Sequence, residues 1–463
     1  MTSTRTAHIP HPPMRIPVLG DILTIDFAKP TQGLTAQMRK LGGGIMEQRV
    51  FDVPVIVLAD PALIDEVNDE STWEKHLGHS IRKLRPVAGD GLFTAYNHEP
   101  NWRKAHNILR PAFTKSAMLT YHDTMAATVR ELLEAWTARP AWIDIPAEAN
   151  RLTIEIIARA GFGYSFSRLD GLGDNPFISA VLRELNYANR RSDAVPMYEK
   201  LFGQRLRRQH YADKAFIRGQ VADIIEARRL NAAGPAGSDI LDTMLHSADP
   251  DTGEKLDDNN MVNQLLTLLV AGSETTANTI AFALHYLATN PEIAKRARAE
   301  IDERWPDRTC PDIGFDDVAK LRYLRRVIDE TLRLWPVAPG YFRQAKADTT
   351  IGNGAYTFEA GDWVFVLLVA AHRDPSWGPD AAEFNPDRFL SENLRKLGPR
   401  TYKPFGTGAR ACIGRQFALH ESVLTLAMLL HQFDIEADPD YRLSVSETLT
   451  LKPEGLRLRF HPR

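Results

Sequence analysis

The chain has 463 residues, 44% of them hydrophobic, with 56 basic and 59 acidic side chains and a formal net charge of −3. That balance gives no overall field drawing the protein to nucleic acid or to an anionic membrane, and the length allows two or three average domains or one large one. Two cysteines, Cys310 and Cys412, cannot build a disulfide framework, so the chain suits a reducing cytoplasm.

The N-terminal stretch "MTSTRTAHIPHPPMRIPVLGD" holds no continuous apolar run that would serve as a signal peptide or membrane anchor. Pro10, Pro12, Pro13 and Pro17 predict extended backbone there. A helix is expected from Thr31 to Leu41, ended by Gly42, Gly43 and Gly44. "IMEQRVF" and "PVIVLAD" then read as a strand pair turning at Asp52 to Pro54. From Pro61 to Leu332 the apolar spacing is helical, interrupted by "PVAGDGLF", "ARPAWIDIP" and "NAAGPAGSD". Strands return in "DTTIGNGAYTFEAGDWVFVLLV", and "LTLKPEGLRLRF" reads as a closing hairpin that turns at Pro453 to Gly455. The expected fold is mainly α with small β-sheets in the N-terminal and C-terminal regions. A single domain over residues 1–463 is expected: a strand-rich part at 45–60, a helical core at 61–332, and C-terminal strands with a cysteine loop at 349–463.

"FGTGARACIG", Phe405 to Gly414, poses a choice. Gly406, Gly408 and Ala411 match the G-x-G-x-x-A spacing of a dinucleotide loop, but "LGPRTYKPF" ahead of them, with Pro399 and Pro404, is a poor central strand. The sulfur is the better reading. Cys412 stands just before a long apolar helix, where free N–H groups and the dipole favour an anion, and Arg410 adds a positive charge. No second cysteine stands at zinc-ligand spacing. A reactive thiolate and a buried structural cysteine both remain open at this point.

A further helix is expected across "NNMVNQLLTLLVAGSETTANTIAFALHYLATN", apolar on most faces and therefore central. Gly272 costs it about 1 kcal/mol against alanine, and Thr275 and Thr276 are moderate helix formers, so a kink is expected there. Glu330 and Arg333 lie three apart on one helical face.

The cysteine stretch matches every fixed position of F-x-x-G-x-R-x-C-x-G, and it is preceded by "AGSETT" (Ala271 to Thr276), "ETLR" (Glu330 to Arg333) and "FNPDRF" (Phe384 to Phe389). In this the chain resembles the cytochrome P-450 superfamily, and "GLFT", "NWRKAHNIL" and "ETLTLKPEG" bring it nearest to the haem domain of bacterial self-sufficient fatty-acid hydroxylases. The resemblance implies a cytochrome P-450 fold with haem b held by the thiolate of Cys412, the metal ligand, and O2 as co-substrate. It implies that Phe405 packs near the sulfur. Arg410, Trp102, His106 and Lys75 would hold the haem propionates, although many relatives have arginine where His106 stands. Glu274 and Thr275 would relay protons, and Glu330, Arg333 and Arg388 would form a structural network.

By the same resemblance Ile81, Leu84, Ala88, Phe93, Ala271, Ala338 and Leu449 would line an apolar substrate pocket. Those hydroxylases carry an arginine and a tyrosine that hold the substrate carboxylate, where this chain has Val53 and Val57. The arginines between "NRRSD" and "GQRLRRQ" are the alternative anchor. The implied reaction inserts one oxygen atom from O2 into a C–H bond of a hydrophobic substrate, a fatty acid or similar lipid. A neutral terpenoid or polyketide substrate, a peroxide-driven peroxygenase and a non-catalytic haem sensor are the competing readings. Electrons would come from NAD(P)H through a redox partner, a fused or separate flavin reductase, flavodoxin or ferredoxin, with Arg103, Lys104 and Arg415 as docking charges. Nucleic acid is not an expected partner.

Overall fold

Proline and glycine punctuate the first elements as the residues suggest. In the computed structural model, which describes residues 9–51, 53–138, 141–166, 169, 175–193, 204–230, 239–307, 309–397 and 401–463, helix α1 (Pro30–Leu41) opens on its proline. It stops at Gly42, whose φ of 68° is the left-handed conformation that glycine adopts without strain. Strands β1 (Ile45–Val50), β2 (Val53–Leu58) and β3 (Trp73–His76) follow. The longer helices are then α2 (Pro100–Leu109), α3 (Lys115–Thr137), α4 (Ile145–Phe162), directly after the two-residue strand β4 (Ile143–Asp144), α5 (Pro176–Asp193), α6 (Gln204–Leu230), α7 (Asp258–Thr289), α8 (Pro291–Asp302) and α9 (Arg322–Leu334). Strands β5 (Gly340–Ala345), β6 (Thr349–Ile351), β7 (Tyr356–Phe358) and β8 (Trp363–Leu367) precede helix α10 (Arg415–Gln432). The chain ends on β9 (Phe433–Ala437), β10 (Ser444–Glu447), β11 (Leu451–Glu454) and β12 (Arg457–Pro462). The fold is mainly α with small sheets, as expected.

The chain forms two compact units, one of residues up to Gly78 with Asp329–Cys412, the other of His79–Ile328 with Ile413–Arg463. The first is built on a five-stranded sheet in the order β1-β2-β8-β5-β3, with β2 and β8 parallel and the other pairs antiparallel. In the second, α7 lies along α4 and also meets α6 and α10, and its side chains are buried over most of their length. Asp257 caps α7, accepting the Asn260 N–H at 2.8 Å.

Three expectations are corrected. Val50 pairs with Val53, and Pro54, expected in the turn, already lies in β2 opposite Arg49. Strands β3 and β5 were not expected: "WEKH" and "GYFRQA" carry little alternation, and it is their mutual pairing, with β8 beyond, that makes them strands. The closing hairpin does not form. Gly455, at φ 66°, does turn the chain, but β11 pairs back to β10, and β12 joins β9 and β4 in a different sheet. The loop "NAAGPAGSD" lies outside the described residues up to residue 238.

The first unit is braced by a buried ion cluster, as the resemblance implied. Arg333 donates twice to Glu330, at 2.6 and 2.8 Å, both side chains fully buried, and Arg388 Nε lies 3.4 Å from Glu330 Oε1. Arg333 also donates to the carbonyls of His372, Ala381 and Glu383, while Glu330 accepts the Asn385 N–H. A guanidinium and a carboxylate taken from water in this way need every one of these bonds. Glu330→Gln, which leaves Arg333 uncompensated, is expected to destabilise the protein by about 3–5 kcal/mol in urea unfolding.

Candidate functional site

Within the first unit the cysteine loop is closed at its neck by the Cys412 N–H donating to the Phe405 carbonyl at 2.9 Å. The approach to the loop is fixed from the ion cluster: Arg333 holds the His372 carbonyl, and His372 Nε2 accepts the Lys403 N–H at 3.1 Å. Burial, with Arg333 adding to it, pushes His372 down to about 3, so the imidazole is neutral and able to accept. Lys403 in turn donates to Asp65 at 2.8 Å. The result is an exposed Cys412 on a loop with rigid ends.

The three glycines of the loop serve it in different ways. Gly406 and Gly408 sit at φ 70° and 68°, so each is needed for its backbone conformation. Gly408 has a second reason, because a Cβ there would collide with the Glu70 carboxylate, which accepts the Ala409 N–H at 2.8 Å. Gly414 has neither constraint.

Lys75, on β3, lies in the field of Arg410. Its ammonium is deeply enclosed, although part of the side chain still meets solvent, and burial first and Arg410 second push its pKa down to about 7. An enclosed lysine with a half-buried arginine beside it suits an anionic ligand group. Ala338, in the same unit, is exposed on the segment before β5. Phe405 is half-buried.

In the second unit the middle of α7 breaks the helix's own pattern. Residues before and after are buried, but Ala271 is exposed and Gly272, Glu274 and Thr275 are half-buried. Three carbonyls here take side-chain hydroxyls: Ala271 from Thr275 at 2.6 Å, Ser273 from Thr153 at 2.9 Å, and Thr275 from Thr279 at 2.9 Å. Burial pushes the Glu274 carboxyl up, opposed by a hydrogen bond with Thr450 and by the charge of Lys452. Thr450 also accepts from Asn278 at 3.1 Å. Thr450 and Asn278 were not anticipated. No spacing in the sequence links position 274 to the β10–β11 turn.

Trp102 and His106 stack on α2 with ring centroids 5.4 Å apart. Ile81, Leu84, Ala88 and Leu449 are only partly covered, and Phe93 is 37% exposed, so none of these apolar side chains is spent as core. Two expectations change. Val57 is fully buried in β2 and Val53 is exposed, so only the latter stands at the surface. Lys104 is bound to Glu254 at 3.0 Å and is not a free docking charge, whereas Arg103 and Arg415 are exposed. Of the arginine-rich region, residues 194–203 and the side chains of 190 and 191 lie outside the described residues, and Arg205 and Arg208 are exposed on α6.

Within the first unit, an exposed thiol on a braced loop with Lys75 and Arg410 is the chemistry that a haem, with its iron and its propionates, would need there. The chain belongs to the cytochrome P450 family, whose model (Cytochrome P450) matches residues 10–460. It is similar to the bifunctional cytochrome P450/NADPH–P450 reductase of Bacillus cereus, 39% identical over 99% of this chain and 42% of that protein. A self-sufficient cytochrome P450 monooxygenase of Aspergillus niger is 37% identical over 96% of this chain and 42% of its own length. The chain thus spans less than half the length of these curated relatives. The crystal structure of a cytochrome P450, CYP102L1, matches with a TM-score of 0.93 and 61% identity over 99% of this chain and all of the other. Among the described residues no helix is long and apolar enough to cross a membrane.

Alanine at either loop glycine tests the local geometry. Gly406→Ala is expected to cost about 1–2 kcal/mol for its left-handed backbone. Gly408→Ala should cost more, through the added collision with Glu70, and thermal unfolding of the two variants side by side reads the difference.

Proposed function

We propose that this chain is a haem-thiolate monooxygenase, with Cys412 as the iron ligand, that inserts one atom of O2 into a C–H bond of a hydrophobic substrate. The second oxygen atom leaves as water, with two electrons and two protons consumed. Haem supplies the oxygen chemistry when bound, and the thiolate's electron donation favours O–O cleavage. The observation that carries the reading is the waist of α7, where an otherwise buried apolar helix uncovers Ala271, Gly272, Glu274 and Thr275.

Arg410 and Lys75 supply positive charge for the propionates, and Trp102 and His106 present ring N–H groups for the same purpose. Phe405 covers the sulfur from the loop's neck. Burial raises the Glu274 carboxyl, against the Thr450 hydrogen bond and the Lys452 charge, so it holds a proton to higher pH than a free glutamate does and can donate it. Thr275 has committed its hydroxyl hydrogen to Ala271, so it offers lone pairs outward and can accept a proton while passing on its own. A peroxygenase or a haem sensor would have no use for this acid and alcohol.

Ile81, Leu84, Ala88, Phe93, Ala271, Ala338 and Leu449 form the apolar lining, and a fatty acid or similar lipid is the favoured substrate. The state of Val53 and Val57 favours a second reading, a neutral terpenoid or polyketide, because neither offers a charge to a carboxylate. Electrons come from NAD(P)H through a flavin reductase, flavodoxin or ferredoxin, fused or separate, and the NADPH–P450 reductase in the name of the Bacillus cereus relative supports a reductase. Two thiols without a disulfide fit a cytoplasmic setting.

Reduction under carbon monoxide is expected to give the red-shifted Soret band of a thiolate-ligated haem, and its absence would remove Cys412 from the site. Thr275→Ala should lower product formed per electron consumed by about 10–100-fold, as loss of a positioned proton donor does. Glu274 donates while protonated, so coupling should fall as pH rises through its raised pKa, and Glu274→Gln should flatten that dependence. Spin-state titration with fatty acids, neutral lipids and terpenoids decides the substrate. A response to neutral compounds alone would reject the fatty-acid reading.

A further inference from the structure

The first turns of α7 carry four buried polar side chains, Asn260, Asn263, Gln264 and Thr267, that the proposed chemistry does not use. Thr267 and the Gln264 NH2 bond within the helix, to the Asn263 carbonyl and the Asn260 amide oxygen, while Asn260, Asn263 and the Gln264 oxygen find partners at residues 90–92 and on α6. The Asp90 carboxylate accepts three amide N–H groups, from Asn260 at 2.9 Å, Asn263 at 2.8 Å and Asn101 at 2.7 Å. Arg218 of α6 donates to the Asn263 amide oxygen at 2.8 Å, to the Asn259 amide oxygen at 2.7 Å and to the Val87 carbonyl at 2.7 Å. Among the described residues, then, the carboxylate touches only neutral donors and the guanidinium only neutral acceptors. Asn263 joins them, its NH2 on the anion and its oxygen on the cation.

This orientation of the amide is the only one that works. Turned over, Asn263 would set its oxygen against a carboxylate and its NH2 against a guanidinium. Burial pushes the Asp90 carboxyl up, but the three amides more than reverse it; partial burial pushes the Arg218 guanidinium down, and the Asp90 charge opposes that shift without cancelling it. The glycines are fitted to the same surface: a Cβ on Gly89 would collide with the Asn263 amide, and one on Gly91 with the Thr267 hydroxyl. The Leu92 N–H donates to Gln264 at 2.9 Å, so the segment's main chain is tied to α7 just beyond the bridge.

We propose that Asp90, Asn263 and Arg218 form an amide-bridged ion pair that positions the Leu84–Phe93 segment on α7 and latches α6 to it, and that this bridge sets substrate selectivity. The selectivity rests on the reading above that Leu84, Ala88 and Phe93 line the pocket; the bridge itself does not. None of the three residues touches substrate or haem in this proposal. They act by fixing the wall against which a substrate is held, so that losing the bridge loosens binding and orientation while leaving the proton-carrying groups of α7 unaltered.

The test uses the haem-loaded protein with Arg218→Gln, Asp90→Asn, the double variant, and Arg218→Lys as the conservative replacement. Hydrogen exchange at the Leu92, Thr94 and Ala95 amides should quicken about tenfold in each charge-removing single variant, the factor for losing one hydrogen bond to a charged group. The double variant should be no faster than either single one, because the two charges act through one amide. Lysine at 218 should restore part of the protection. With lauric acid and lauryl alcohol as probes, Arg218→Gln should raise KM about tenfold, leave kcat within about twofold and spread the product among more carbon positions. Equal exchange rates, or effects of the two single variants that simply multiply, would overturn the bridge whatever the substrate. Faster exchange with an unmoved KM and product ratio would overturn its part in selectivity. If the wild-type protein turned over neither probe, the lipid reading would fail, and the exchange rates would still decide the bridge.

Discussion

Several polar groups that α7 takes into the interior are satisfied from other segments, and this requirement organises the helical unit. A helix of this length meets its own backbone needs, and its threonine hydroxyls bond to carbonyls one turn back, but Asn260, Asn263, Asn278 and the Glu274 carboxyl reach beyond its axis. At its start Asn260, Asn263 and Gln264 draw in Asp90, the Leu92 main chain and Arg218. At its middle Ser273 draws in Thr153, and Glu274 and Asn278 draw in Thr450. Each tie couples a remote stretch of chain to a defined turn of the helix. Polar pairing therefore gives this apolar packing its register.

The same logic works at higher stakes in the first unit. Glu330 and Arg333 are charges with no solvent, so they recruit carbonyls from residues 372, 381 and 383 and an N–H from 385. His372, fixed by its carbonyl, then presents Nε2 to the Lys403 N–H, and the chain enters the cysteine loop from a constrained position. A cluster with no redox chemistry of its own thus governs where a sulfur atom can stand. Glu70 finishes the loop from the other side, and its carboxylate occupies the space that a side chain at 408 would need.

Much of this was legible in advance where a residue's own chemistry sets its position. Gly42 ends α1 because glycine accepts a positive φ, and the apolar run after Cys412 forms one helix because its pattern admits nothing else. The motif residues Cys412, Glu274, Thr275, Glu330 and Arg333 could be named from local patterns and the resemblance those patterns carry. Strands β3 and β5 could not, since four to six residues of mixed character become strand only when a neighbour offers its backbone. The terminal hairpin misled for a related reason: a good turn at Gly455 specifies that the chain reverses, not which strand it will meet. Thr450, Asp90 and Arg218 gave no signal, because a partner 172 or 45 positions away in sequence is set by folding rather than by spacing.

What the sequence determined by itself was therefore the class of the fold, the punctuation of its helices, and the identity of the cysteine loop, the acid–alcohol pair and the buried ion cluster. These depend on properties a residue keeps in any context: a sulfur that can ligate, a glycine that tolerates φ above zero, a periodicity that wets one face. Only the tertiary structure decided the strand pairings, the burial of Val57 against the exposure of Val53, the capture of Lys104 by Glu254 and the amide that stands between Asp90 and Arg218. Those facts concern which groups lose water together. Desolvation belongs to the assembled neighbourhood and to no single position in the chain.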